Sequence, residues 1–87
     1  MLSKDRPVLS IVIPTLNEGD NIKATIDALK KSTITCPYDV VVVDGGSKDA
    51  TIDEARQRGA HVIKCEPGRG KQLAAGGKYA KGAWLLF

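Results

Sequence analysis

Histidine and cysteine are scarce in this chain: His61 stands alone, and Cys36 and Cys65 are the only thiols among 87 residues. One imidazole and two widely separated thiols do not fit a zinc ligand set. They do not make a disulfide framework either, which fits a reducing compartment. Cys65 ends an apolar run and reads as a small buried hydrophobe. No apolar run approaches the roughly 20 residues of a membrane-spanning helix. The first such run follows Lys4, Asp5 and Arg6 and stops at Pro14, a pattern unlike a secretory leader. The expected location is the cytoplasm, including the inner face of the membrane. Aromatics are few (one Trp, two Tyr, one Phe), and no basic block is interleaved with them. With a net charge of only +3, nucleic acid is not an expected partner, whereas a small anionic ligand is compatible.

Two common phosphate loops are also lacking. A dinucleotide fingerprint needs glycines directly after the first strand, and that turn reads Pro14-Thr15-Leu16-Asn17-Glu18. In the Walker pattern a Ser or Thr follows Gly-Lys, whereas Gln72 follows Gly70-Lys71 and Cys65 occupies the first glycine position.

What is present is a chain long enough for one domain, with 43% apolar and 26% charged residues, ordinary for a globular protein. Val8–Ile13 and Val40–Val43 are short, β-branched and stopped by turn residues, as buried parallel strands are. Ile22, Ile26 and Leu29 recur at helical spacing after the first strand. A second helix is expected over about Ala50–Arg58, capped by Ser47 or Asp49 and ended by Gly59. His61–Cys65 reads as a third strand, about Lys71–Ala80 as a third helix, and Ala83–Phe87 as a fourth strand. Tyr38 and Tyr79 are expected at the core margin or surface, and Trp84 against the sheet. The fold class is therefore α/β: a Rossmann-like three-layer α/β/α arrangement in βαβαβαβ order around a mostly parallel sheet. Chain end and fourth strand nearly coincide, which points to a fragment or to the first half of a larger fold. Its exposed sheet edge offers a route to self-association.

In such a sheet, ligands bind outside the carboxyl ends of the strands. Three segments converge on that edge. Asp44, followed by Gly45 and Gly46, can accept a hydrogen bond from a ligand N–H while the glycines let a flat ring approach; it can equally be a turn aspartate. Pro14 stops the first strand, Thr15 and Asn17 can be helix caps, and Glu18 is an acid at a helix start or a ligand acceptor. Arg69, in Pro67-Gly68-Arg69-Gly70 at a helix N-terminus, is a diphosphate contact or a solvated loop cation.

The stretches Ser10–Glu18, Val41–Thr51 and Gly68–Gly76, with Ala80-Lys81-Gly82 and Trp84–Phe87, resemble three ordered motifs of family 2 glycosyltransferases. The resemblance covers nearly the whole chain and implies the N-terminal, nucleotide-sugar-binding half of a GT-A fold over residues 1–87. It implies that Asp44 reads the nucleotide base, that the turn with Pro14, Thr15, Asn17 and Glu18 lines base and ribose, and that Arg69 lies near the diphosphate; Gly45, beside Asp44, is a further candidate for substrate binding. It implies a divalent metal, Mg or Mn, in the full-length enzyme, with its aspartate motif following Phe87. No catalytic residue or metal ligand is assigned within these 87 residues, which are not expected to turn over a sugar nucleotide alone. Two positions depart from the family pattern: Gly45 stands where a second aspartate is frequent, and Ala74 where an asparagine is. The alternatives are a nucleotidyltransferase-like sugar-nucleotide enzyme, whose basic glycine loop after the first strand is lacking, and a non-enzymatic α/β nucleotide-binding or interaction module.

Overall fold

The computed structural model describes residues 9–32, 37–80 and the backbone of 83–86. Among the described residues seven elements alternate: β1 (Leu9–Thr15), α1 (Gly19–Lys30), β2 (Tyr38–Asp44), α2 (Thr51–Gln57), β3 (His61–Lys64), α3 (Arg69–Tyr79) and β4 (Ala83–Leu86). The strands form one parallel sheet in the order β3-β2-β1-β4. The expectations for Val8, Cys36, Gly82, Phe87 and the Trp84 side chain lie outside the described residues.

That order explains where the helices lie. Right-handed crossovers that step from β1 to β2 to β3 place α1 and α2 on one face. The return from β3 past β2 and β1 to β4 reverses direction and places α3 on the other. Side-chain alternation divides the core accordingly. Ile11, Ile13 and Val42 pack with Ile22, Ile26 and Leu29 of α1 and Ala55 of α2. Val12, Val41 and Val43 face the opposite way, toward Ala75 of α3, Ile63 and Cys65. Cys65 is half-buried, less enclosed than its sequence context suggests. Arg58, at the end of α2, reaches Asp27 of α1 at 3.3 Å and Glu54 at 3.1 Å, pinning the two helices together.

Pro14 does not end β1, which continues to Thr15. The N–H of Gly45 donates to the Thr15 carbonyl at 2.9 Å, so residue 15 faces β2. By alternation residue 14 faces away from β2, the strand with which β1 pairs as far as Thr15 opposite Asp44. Its missing N–H therefore removes no donor from the β1–β2 ladder.

Gly76 shows how closely α3 lies on the sheet. A methyl group at this position would overlap Cγ1 of the fully buried Val12 and come within 3.1 Å of Val43 Cγ2. Alanine is the better helix former by about 1 kcal/mol, but overpacking against stiff, β-branched neighbours costs roughly 1–3 kcal/mol or more. Gly76→Ala is therefore expected to lower the unfolding midpoint. Gly70, in the same helix, has open space at the corresponding position. Gly70→Ala is expected to hold or raise it, and chemical denaturation of the two variants checks the contrast.

Candidate functional site

The carboxyl ends of β1 and β2 meet at Asp44. This side chain is fully buried and all its acceptor capacity is spent on the protein. Oδ1 accepts from the Thr15 hydroxyl at 2.8 Å and from the Ser47 hydroxyl. Oδ2 accepts from the backbone N–H groups of Gly46, at 3.0 Å, and Ser47, at 2.7 Å. The turn-aspartate alternative describes this geometry: Asp44 organises the β2–α2 loop and does not face solvent. Burial alone raises its pKa, but the hydrogen bonds, led by those from Ser47, outweigh it and hold the carboxyl below its ordinary value. A carboxylate with a depressed folded pKa contributes stability that is present above its unfolded pKa, near 3.9, and is lost as pH falls through the folded value. Stability is thus expected to decline in acid below about pH 4, and more gently in Asp44→Asn, as thermal unfolding across pH 2–7 measures. Asp49, also held low by its hydrogen bonds to Thr51, leaves part of the decline in place.

A second set of bonds ties the β1–α1 turn to the β2–α2 loop. Asn17 adopts a left-handed backbone conformation (φ 51°), which asparagine tolerates better than most residues. Its N–H donates to Ser47 Oγ at 2.8 Å, and its side-chain oxygen accepts from the Lys48 N–H at 2.7 Å. The Glu18 N–H donates to Thr51 Oγ1 at 2.8 Å and the Gly19 N–H to Asp49 Oδ2 at 3.2 Å. Asp49 Oδ1 also accepts from the Thr51 N–H, at 2.9 Å, and from its hydroxyl, which fastens the start of α2. Ser47, Asp49 and Thr51 thus act as clamps between loops rather than as isolated caps.

Gln72 completes the edge from the other face, and no motif in the sequence singles it out. Nearly buried on α3, it donates through Nε2 to the carbonyls of Thr15, at 2.9 Å, and Val43, at 2.8 Å. Its Oε1 accepts from the Gly68 N–H at 3.2 Å. Gly45 is buried beneath it: a Cβ there would lie 3.0 Å from Pro67 Cα and 3.2 Å from Gln72 Oε1. The space spared by this glycine is filled by the protein's own β3–α3 loop, not left open for a ring. The available signal is the spacing of four along Gln72-Gly76-Ala80, all three buried, which places one amide on the inward side of an otherwise small-residue face.

The sequence-predicted residues therefore share one edge but not one pocket. Thr15 and Asp44 are inside, Pro14 is half-buried, and Gly45 is covered. Asn17 and Glu18 are exposed and line a cleft of about 450 Å³ between the starts of α1 and α2, with Asp20, Asp49 and Glu54. Arg69 is exposed at the start of α3, beyond that cleft. Leu16, 46% exposed, presents apolar surface in the β1–α1 turn. Among the described residues, no three His, Cys, Asp or Glu side chains gather closely enough to hold a metal ion. No helix among them is long and apolar enough to cross a membrane.

Comparison with known proteins places this edge in context. The family model for Glycosyl transferase family 2 matches residues 10–87. A PGL/p-HBAD biosynthesis glycosyltransferase of Mycobacterium tuberculosis is 35% identical over 88 residues, covering 93% of this chain and 34% of its own. Glycosyltransferase AglE of Haloferax volcanii is 42% identical over 52 residues, 59% of this chain and 17% of its own. Among solved structures, glucosyl-3-phosphoglycerate synthase from Mycobacterium tuberculosis, in complex with Mn2+, uridine diphosphate and glucosyl-3-phosphoglycerate, matches with a TM-score of 0.75 at 26% identity, over 95% of this chain and 34% of its own. The chain spans about a third of the length of that synthase and of the mycobacterial relative. A Rossmann-like α/β sheet of the GT-A kind and a family match from Ser10 to its last residue agree: the chain belongs to the family 2 glycosyltransferases.

Proposed function

We propose that the carboxyl edge of this sheet binds the nucleoside diphosphate part of a nucleotide-diphospho-sugar, and that the whole protein transfers the glycosyl group to an acceptor hydroxyl. The observation that carries the reading is the cross-bonding of three loops at the ligand edge of a parallel sheet, by Asp44 from within and Gln72 from above. A uridine diphosphate complex of a protein with the same fold supports it.

The roles divide by exposure. Asp44 and Thr15 position the loop; Pro14 and Gly45 shape its floor. Asn17, Glu18 and the apolar face of Leu16 are the surface available to base and ribose, with Glu18 as a hydroxyl acceptor. Arg69 supplies positive charge beside the α3 N-terminus, whose first backbone N–H groups lack intrahelical partners and favour a diphosphate. A divalent cation, present with uridine diphosphate in the synthase complex, neutralises a leaving diphosphate when bound. The residues described here do not assemble a ligand set for one, so its ligands are assigned elsewhere in the whole protein. Location in the cytoplasm is part of the same proposal.

Titration calorimetry with uridine diphosphate tests the proposal. Binding is expected in the wild type, and Arg69→Ala is expected to weaken it by roughly 1.5–3 kcal/mol, one hydrogen bond to a charged group. Equal affinity in the two proteins counts against the assignment of Arg69. Absence of heat with any nucleoside diphosphate favours a non-enzymatic module.

A further inference from the structure

We infer that Gln72 is a positioning residue that holds the Arg69 loop in register with the loops after β1 and β2. The inference rests on the nucleotide-binding reading above and deepens it by naming what aligns the two halves of the ligand site. Its basis is one amide with three partners on three segments: the Thr15 carbonyl of β1, the Val43 carbonyl of β2 and the Gly68 N–H of the β3–α3 loop. Among the described hydrogen bonds, these are the ones that join α3 to the ends of β1 and β2. The remaining side-chain bonds of the β3–α3 loop are local, from Lys71 to Glu66 and from the Cys65 thiol to the Glu66 carbonyl.

The chemistry calls for this side chain. Two carbonyl oxygens need a donor and one N–H needs an acceptor, at a site only 6% exposed. A primary amide offers both from one group, and its planar shape fixes all three partners relative to each other. Arg69 lies one turn before Gln72 and directly after Gly68, so the cation and the clamp share one helical turn. Losing the clamp frees the turn that carries Arg69 while Asp44 still holds the loops after β1 and β2.

The test separates positioning from stability. In the wild type, uridine diphosphate is expected to bind more tightly than uridine, the difference being the contribution of the diphosphate. Gln72→Met keeps length and apolar volume but removes all three bonds. It is expected to lower the ratio of uridine diphosphate to uridine affinity by roughly tenfold, the scale of one charge-assisted hydrogen bond, while uridine affinity changes little. Combined with Arg69→Ala, it is expected to add little further loss. An unchanged ratio, with only a lower unfolding midpoint, overturns the inference and leaves the functional reading standing. A wild type that binds neither compound overturns the functional reading and the inference with it. Should Gln72→Met not fold, the wild type supplies the answer by NMR. The Gln72 side-chain amide protons should exchange slowly, and they and the Gly68 amide should shift with uridine diphosphate but not with uridine. Shifts that are absent or identical with both compounds overturn it.

Discussion

Replacement of Asp44 by alanine is expected to cost roughly 2–4 kcal/mol of folding stability, a large share of what a small domain has to lose. Four donors converge on this carboxylate, and two of them are backbone N–H groups with no freedom to turn elsewhere. The hydroxyls of Thr15 and Ser47 can rotate, and Gly46 is exposed enough for water to reach it, which keeps the loss below the sum of four orphaned groups. Asparagine should behave differently. Its oxygen can keep both backbone amides, and its NH2 can donate to the two hydroxyls, which accept as readily as they donate. Asp44→Asn is therefore expected to cost about 1 kcal/mol, that of a weakened charge-assisted network. Urea denaturation of the two variants gives the comparison. An alanine variant as stable as the wild type, or an asparagine variant as damaged as alanine, contradicts the assignment of Asp44 to the loop.

Gln72→Glu is expected to be at least as severe, at roughly 3–5 kcal/mol near neutral pH, although it exchanges one NH2 for an oxygen. The new oxygen points at two carbonyl oxygens, those of Thr15 and Val43, from a buried position. The introduced acid must either carry an unpaired charge there or take up a proton, so its folded pKa is raised above the unfolded value near 4.3. The sign follows from that. The charge penalty is absent below about pH 4, grows as pH rises toward the folded pKa, and is constant above it. Denaturation at pH 4 and pH 7 should show the variant closer to wild type in acid, opposite to the trend that Asp44 imposes on the native protein. A pH-independent loss would mean that the carboxyl escapes to solvent and that the pocket around Gln72 is not closed.

The sequence was most legible where periodicity speaks. The β-branched run Val40–Val43 specifies a strand covered on both faces and the Ile22-Ile26-Leu29 stripe a helix with one buried side, and β2 and α1 follow them. Element order then constrained the topology, because right-handed crossovers leave few ways to arrange four parallel strands. Pro14 misled locally: a missing N–H ends a strand only where a neighbour needs that donor, and residue 14 faces away from β2, which the isolated segment does not report. Asp44 stood out as a residue but not in its orientation, since a carboxylate before two glycines suits an inward clamp as well as an outward acceptor. Gln72 was beyond local reading because its partner Thr15 lies 57 residues away and its role exists only once α3 crosses β1 and β2. The apposition of Gly45 and Pro67 is of the same kind. Contacts between loops depend on packing that no single segment encodes, and the ligand edge consists almost entirely of such contacts.

Amide chemical-shift mapping by NMR, with uridine diphosphate added to the isotopically labelled protein, tests the central claim most directly. The shifts should concentrate in residues 15–19, 44–48 and 67–72, the three loops joined by Asp44 and Gln72, and leave the amino ends of the strands around Asp39 and His61 undisturbed. Saturable shifts confined to that opposite end, or none at millimolar ligand, contradict it.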